Sequence, residues 1–250
     1  LKGATLGLYR VESVTNPETG ETTENLVQVG ETWESGNTPK EIKNLIIGET
    51  YVLKELKAPN GYSYAADIRF VVKNDKEAEV VDHVQNIEML DGKHNIQIAK
   101  VVKGSDNSYI NVPGAEMQIK KGDDIIEEWT SENKPHVVED KDNKIVSGET
   151  YILHEKKAPA GYLLASDIVF TVGNDGKVSV VNDESQTNTS LINMIDEPQT
   201  VTVLKTKEDG VTPLAGAKLQ IVDSSKDKND EGYVVETWTS GETAHTVEAK

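Results

Sequence analysis

The sequence predicts an all-β protein made of tandem two-sheet sandwich modules arranged as an extended rod. Three observations lead to this prediction. A block of sequence that begins with GETY recurs about 100 residues later without a gap. Apolar and polar residues alternate in short runs, which is the pattern of a half-buried strand. Gly, Pro, Asn and Asp separate these runs, as they do at turns.

The run from 168 to 172 illustrates the strand prediction. Ile168, Phe170 and Val172 share one face of the predicted strand, and Val169 and Thr171 take the other, because successive side chains on a strand point to opposite faces. No stretch of the sequence predicts an amphipathic helix of useful length. The pattern therefore favours sheets packed face to face.

Recurring blocks define the repeat unit. The block containing YxLxE and APxGY begins at Gly48 and again at Gly148, and an apolar closing strand ends at Asp91 and again at Asp196. We interpret a complete unit as a leading strand, a Gly-Ala pair, a Trp, these two motifs and the closing strand. The Gly-Ala pair and its Trp occur at Gly3-Ala4 with Trp33, Gly114-Ala115 with Trp129, and Gly216-Ala217 with Trp238.

The repeat divides the chain into three modules. We expect a first module at 1–91 that lacks its leading strand, a complete second module at 96–196, and the N-terminal half of a third module at 201–250. The connectors at 92–95 and 197–200 are short, and short connectors restrict the reorientation of neighbouring modules. The array is therefore expected to be stiff.

Composition excludes several classes of function. The 43 acidic and 26 basic residues give a formal charge of -17, which disfavours nucleic acid and anionic membrane as partners. The chain has no cysteine, so disulfides, thiolate catalysis and cysteine zinc sites are excluded. No membrane segment or signal peptide is predicted within this stretch. The five histidines are scattered, and His154 points away from Glu155, so no metal site and no cofactor is predicted.

Three strands of the second module end their apolar stripe with a charged residue. Lys100 follows Ile96 and Ile98 at a spacing of two, and Glu155 and Asp196 take the same position in their own strands. Because Lys, Glu and Asp are rarely buried unless they are paired, we expect these three side chains to converge in the core. The equivalent residues elsewhere are Glu55 and Asp91 in the first module and Lys205 in the third.

Such a cluster has two interpretations. Desolvation disfavours the charged forms of amines and carboxyl groups, and a neutral lysine amine is a nucleophile. Lys100 could therefore condense with Asp196 to form an amide, with Glu155 moving the protons. The alternative is a buried, non-covalent charge cluster, which contributes little to stability.

The chain resembles the SpaA-type modules, also called collagen-adhesin B-type modules, of Gram-positive pilins and surface adhesins. The motifs that carry this resemblance are VTVLK, LAGAKLQI, ETWTS, GETYILHEKKAPAGY, SDIVFTV and INMID. The resemblance implies an Ig-like or prealbumin-like sandwich in which the leading-strand lysine bonds to the closing-strand aspartate. It assigns Lys100 and Asp196 to the cross-link and Glu155 to catalysis. Glu55 is the catalytic equivalent in the incomplete first module, and Asp91 and Lys205 are unpaired equivalents.

The resemblance also implies a function. We expect a structural stalk or pilin-like segment of a cell-wall-anchored bacterial surface protein, located outside the cell, with its anchor and signal peptide outside this stretch. The alternative is an adhesin region that binds a host matrix protein or a glycan. The expected partners are neighbouring modules, other pilin subunits and host matrix. Amide formation is intramolecular and happens once, so the chain is not expected to be an enzyme.

Overall fold

The computed structural model describes residues 1–74, 76–77, 80–81 and 84–248. Strands dominate the described residues, and the helical structure among them is one short 3-10 turn at Glu184–Gln186. The all-β prediction is therefore confirmed. No helix in these ranges is long and apolar enough to cross a lipid bilayer.

The second module is a sandwich of two sheets. One sheet has the strand order β11-β10-β13-β14-β15, and the other has the order β12-β8-β16 with β9 paired to β8. Apolar residues from both sheets form one buried cluster. The strands are β8 (Gln97–Lys103), β9 (Tyr109–Asn111), β10 (Glu116–Lys121), β11 (Asp124–Thr130), β12 (His136–Val137), β13 (Thr150–Lys157), β14 (Ile168–Val172), β15 (Val178–Val180) and β16 (Leu191–Asp196).

The core of the second module follows the alternation in its sequence. Its inward-facing residues are almost completely buried, since each strand offers every second side chain to the space between the sheets. The cluster is completed by partly buried residues such as Trp129, which packs against it. The buried members are Ile96, Ile98, Ala115, Met117, Ile119, Val138, Ile145, Tyr151, Leu153, Phe170, Val172, Val178, Ile192 and Met194.

The first module has one large sheet and a small two-stranded hairpin among the described residues. Its large sheet has the order β2-β1-β4-β5, with β3 paired to β1. Leu8, Tyr51 and Leu53 form a smaller buried cluster than that of the second module. The strands are β1 (Thr5–Thr15), β2 (Thr22–Gln28), β3 (Trp33–Glu34), β4 (Thr50–Lys57), β5 (Ile68–Val71), β6 (Val80–Val81) and β7 (Val84–Gln85).

The closing strand predicted to end at Asp91 is not formed. Residues 86–91 have no strand assignment, although Ile87 and Met89 still pack against the apolar cluster. In the second module the closing strand β16 pairs in parallel with the leading strand β8. Among the described residues, no strand pairs with residues 86–91 as β8 pairs with β16. Apolar packing alone does not make this segment a strand.

The third module forms two separate pairs of strands. β17 pairs with β20, and β18 pairs with β19. Val247 and Ser240 are its buried residues among those that the structure describes, so this half module has little core. The strands are β17 (Thr200–Val203), β18 (Lys218–Val222), β19 (Val234–Thr239) and β20 (His245–Glu248).

A serine two residues after each tryptophan explains the repeated Gly-Ala pair. Ser131 Oγ accepts a hydrogen bond from the Ala115 amide at 2.9 Å and donates one to the Val112 carbonyl at 2.8 Å. The Gly114 amide donates to the Ser131 carbonyl at 3.0 Å, and Gly114 has a φ of 95°, which favours glycine. The same backbone bonds recur in the first module at Gly3, Ala4 and Ser35, and in the third at Gly216, Ala217 and Ser240.

Two histidines that the sequence analysis regarded as scattered have equivalent positions. His136 stacks on Trp129 with ring centroids 4.3 Å apart, and its Nε2 lies 2.6 Å from Glu127 Oε1. Glu127 belongs to β11 and His136 to β12, so the contact joins the edges of the two sheets. In the third module Trp238, His245 and Glu236 form the same arrangement. These two histidines therefore take the same structural place in their modules, which the sequence analysis did not predict.

The APxGY segments form turns, and residues in or next to these turns are hydrogen-bonded to the connectors. In the first module the Ser63 amide donates to the Gly92 carbonyl at 2.8 Å. In the second module the Leu163 amide donates to the Glu197 carbonyl at 3.0 Å, and the Gln199 amide donates to the Gly161 carbonyl at 2.7 Å. The short connectors are therefore paired to the preceding module.

Candidate functional site

Lys100 lies in the middle of its sheet. It belongs to β8, which is flanked by β12 and β16, and it faces the same way as Ile98, which is buried. The Lys100 side chain is only 1% exposed. Since an amine is strongly hydrated in water, its burial is costly unless polar groups surround it. The neighbouring strands supply those groups.

Asp196 comes from the strand next to Lys100. β16 runs parallel to β8, with Met194 opposite Lys100 and Asp196 opposite Val102. The Asp196 side chain is fully buried, and its Oδ1 is in contact with Lys100 Nζ. Parallel pairing therefore brings together two residues that are far apart in sequence.

Glu155 reaches the same point from the opposite sheet. It lies on β13 opposite Met117 of β10, and its side chain has no exposed surface. Its Oε1 is 3.1 Å from Lys100 Nζ, and its Oε2 accepts a hydrogen bond of 2.6 Å from the Ala165 amide. The structure thus brings Lys100, Glu155 and Asp196 into one buried cluster.

The charges of this cluster do not balance. One amine faces two carboxyl groups, so full ionisation would leave an excess negative charge in the apolar interior. Burial raises the pKa of Asp196 above its ordinary value of 3.8; the nearby Lys100 lowers this pKa, and Glu155 raises it further. This direction favours the neutral carboxylic acid form of Asp196, which is a better acceptor for a nucleophile than a carboxylate.

The contacts in the cluster are close but are not aligned as hydrogen bonds. Lys100 Nζ, Glu155 Oε1 and both carboxyl oxygens of Asp196 are buried and have no partner in hydrogen-bond geometry. Buried polar groups in folded proteins are normally hydrogen-bonded. A purely non-covalent cluster would be expected to satisfy them.

The first module has the two acids of this arrangement. Glu55 is buried, and its Oε2 accepts a hydrogen bond of 2.7 Å from the Ala65 amide. Burial is the main cause that raises the pKa of Glu55 and the pKa of Asp91, and Asp91 raises the pKa of Glu55 further. No lysine is among the groups that shift either pKa in the described residues. In the described residues, no lysine therefore takes the place of Lys100 beside these two acids.

Lys205 does not face inward, in contrast to the orientation predicted from Val201 and Val203. β17 ends at Val203, and Lys205 is exposed. Its Nζ lies 3.4 Å from the Thr206 carbonyl. Among the described residues of this stretch only Ser240 and Val247 are buried, so there is little apolar core to draw the side chain inward.

Sequence analysis missed the Ala165 amide. A backbone donor carries no residue-type signal, and alanine predicts no polar role. The repeat itself offered a clue, because an alanine stands two residues before an aspartate in both copies, at Ala65 and Ala165. Within the described ranges, no group of His, Asp and Glu is arranged to hold a metal ion.

Comparison with known proteins adds a family match. The model of the family described as SpaA, prealbumin-like fold domain, matches residues 1–86 and 95–186. No curated protein matches the chain.

Several solved pilus proteins from Lactobacillus rhamnosus GG are distantly similar. The C-terminal fragment of the pilus adhesin SpaC has 15% identity and a TM-score of 0.35, over 81% of this chain and 91% of that one. The open conformation of SpaC gives the same identity and score, but this chain spans only 30% of its length. The shaft pilin SpaA has 14% identity and a TM-score of 0.25, over 80% of this chain and 86% of that one.

Proposed function

Because this chain belongs to the SpaA prealbumin-like fold domain family, we propose that it is a structural segment of a bacterial surface protein whose second module is cross-linked by an amide bond between Lys100 and Asp196. The observation that carries this proposal is the buried contact of Lys100 Nζ with Asp196 Oδ1, with Glu155 Oε1 at 3.1 Å from the same nitrogen.

The reaction is a condensation. Lys100 Nζ, in its free-amine form, attacks Cγ of the protonated Asp196 carboxyl group. Glu155 takes a proton from this nitrogen and passes it to the departing hydroxyl oxygen of Asp196. One C–N bond forms, one C–O bond breaks and one water leaves, so Glu155 returns to its starting protonation state. Fixed geometry can lower such a barrier by about 7–11 kcal/mol.

The non-covalent alternative is less well supported. A buried charge cluster contributes little to stability, and four of its buried polar atoms lack aligned hydrogen bonds although Lys100 Nζ contacts both acids. An amide removes the charges of the amine and the acid together. The hydrogen-bond geometry therefore favours the covalent interpretation.

The position of the bond suits a stalk. Lys100 lies close to the connector at 92–95, and Asp196 directly precedes the connector at 197–200. A pulling force would pass from one connector to the next through β8, the amide and β16, so the residues between would carry little load. On a loop-entropy basis, the bond also restrains the unfolded chain by about 4–5 kcal/mol.

This function sets the expected location and partners. A stapled module suits the outside of a Gram-positive cell, where the parent protein is anchored to the wall and disulfides are absent from this chain. Its partners are then neighbouring modules and other pilin subunits. The amide remains part of the chain, so the reaction occurs once per molecule and the protein has no turnover activity.

Intact mass spectrometry of the denatured chain tests the proposal. The wild-type mass should be lower than the sequence mass by one water, and Lys100→Ala or Asp196→Ala should restore the full mass. Glu155→Ala should strongly suppress the loss. Glu55→Ala is the matched control, because it removes the equivalent acid from the module without an amine and should leave the loss unchanged. A wild-type mass equal to the sequence mass would exclude the cross-link.

A further inference from the structure

The two carboxyl oxygens of Glu155 have different neighbours. Oε1 faces Lys100 Nζ at 3.1 Å, whereas Oε2 is held by the Ala165 amide at 2.6 Å. The Ala165 amide therefore determines which oxygen is directed at the amine. Ala165 lies in residues 163–167, which we call the positioning segment; it joins the APxGY turn to β14 and has no strand assignment.

The positioning segment is held at both ends. At its start, the Leu163 amide donates to the carbonyl of Glu197, the residue after Asp196. At its end, Asp167 Oδ1 lies 2.7 Å from Nδ1 of His154, which directly precedes Glu155 on β13. The segment is thus tied to the strand of the catalytic acid and to the strand of the cross-linking acid.

The first module repeats these contacts with a lysine in place of the histidine. Lys54 Nζ lies 2.5 Å from Asp67 Oδ2, the Ala65 amide donates to Glu55 Oε2 at 2.7 Å, and the Ser63 amide donates to the Gly92 carbonyl. Lys54 and His154 can each donate a side-chain hydrogen bond to an aspartate. The two modules therefore share this contact with an aspartate, although the residue that makes it differs.

We propose that the outward-facing pair His154–Asp167 positions Glu155 for amide formation. The pair holds the positioning segment so that the Ala165 amide fixes Oε2 and leaves Oε1 directed at Lys100. This inference rests on the proposed cross-link. His154 does not touch the reacting atoms, so it is a positioning residue and not a catalytic one.

The pair is expected to change the rate of bond formation rather than its final extent. Small displacements of a catalytic group can slow a reaction strongly. Both side chains are partly exposed, at 32% and 51%, so losing their contact should loosen the segment only moderately. We expect Asp167→Asn to slow bond formation about two- to fivefold. Ala165→Pro removes the donor itself and should slow the reaction about tenfold or more.

The experiment follows cross-linking in the full chain during cell-free synthesis. Samples are stopped in acidic denaturant at intervals, and the fraction that has lost one water is read by intact mass. His154→Ala should be slow, whereas His154→Lys should restore the wild-type rate, because the first module uses Lys54 in this position. Asp67→Asn is the matched control: it breaks the equivalent pair of the first module and should leave the rate unchanged.

Each outcome has a distinct meaning. If the wild type never loses water, the proposed cross-link fails and the positioning role fails with it. If the wild type does lose water and Asp167→Asn has the wild-type rate, only the positioning role is overturned. Equal slowing in His154→Ala and His154→Lys would also overturn it. A lower final linked fraction at an unchanged rate would indicate misfolding instead of a positioning effect, and would likewise contradict the inference.

Discussion

Glu55 and Asp91 are the first module's equivalents of Glu155 and Asp196. No lysine is among the groups that shift the pKa of either residue. Burial raises the pKa of both residues, so the folded module binds their protons more tightly than the unfolded chain does. Stability from such groups is fully present below their ordinary pKa and is lost as pH rises through the raised pKa. The first module should therefore be more stable in mild acid than at neutral pH.

This prediction can be tested with the indole NMR signal of Trp33 in urea titrations at about pH 5 and about pH 7. The free energy of unfolding reported by Trp33 should be larger at the lower pH, and Glu55→Gln should shrink the difference. Glu49→Gln, at an exposed acid of the same module, should leave the difference intact. An unchanged difference in the Glu55→Gln variant would contradict the assignment.

The burial of single residues was largely predictable from sequence. The period-two pattern correctly indicated that Lys100, Glu155 and Asp196 face the core, because each ends an apolar stripe. The same argument was wrong for Lys205, since the pattern gives the face of a strand but not whether a second sheet covers it. The role of the Ala165 amide could not be predicted, because every residue except proline has a backbone amide and the residue type therefore gives no signal.

At the scale of elements, we predict that the serine two residues after the tryptophan stabilises the second module. Ser131 is buried and both accepts and donates a hydrogen bond, so it ties the start of β10 to the end of β11. Ser131→Ala leaves the Ala115 amide and the Val112 carbonyl without this partner. We expect the free energy of unfolding of the second module to fall by about 1–3 kcal/mol.

The measurement is a denaturant titration in the Lys100→Ala background, followed by the indole signal of Trp129, so that a cross-link does not hide the change. Ser105→Ala is the control, because Ser105 is exposed in the same module and its replacement should change the free energy by less than about 0.5 kcal/mol. A similarly small effect of Ser131→Ala would show that the hydroxyl is dispensable.

Strands were predicted well where the strand that pairs with them also lies in this sequence. The strands of the second module follow the apolar alternation, and their pairing buries the predicted face. The closing strand of the first module was predicted from the same motif, yet residues 86–91 do not form a strand. The local sequence pattern indicates that a segment favours an extended conformation. A strand also needs a neighbouring strand to pair with its backbone N–H and C=O groups.

At the scale of the whole molecule, the joint between the first two modules is built from backbone and side-chain contacts. The Gly61 amide donates to the Ile145 carbonyl of the next module at 2.7 Å, and His94 Nε2 lies 3.1 Å from Ser147 Oγ. A Cβ on Gly61 would approach Asn143 Oδ1 to 2.6 Å. The joint therefore requires glycine at this position.

Gly61→Ala should loosen the joint without unfolding either module. Gly48→Ala is a matched control, because Gly48 has a similar φ, 86° against 84°, but open space where its Cβ would stand. Residual dipolar couplings of the two modules should fit one common alignment tensor in the wild type and in Gly48→Ala. They should require two tensors in Gly61→Ala, and a single tensor there would count against the joint.

The parallel pairing of β8 and β16 also determines how the chain travels. Antiparallel first and last strands would return the polypeptide to the side from which it came, and successive modules would fold back on each other. Parallel strands deliver it to the far side, about 3.3 Å further for each paired residue. If further repeats pair their first and last strands in the same way, each one would carry the chain onward in one direction, and its length would grow with the number of repeats.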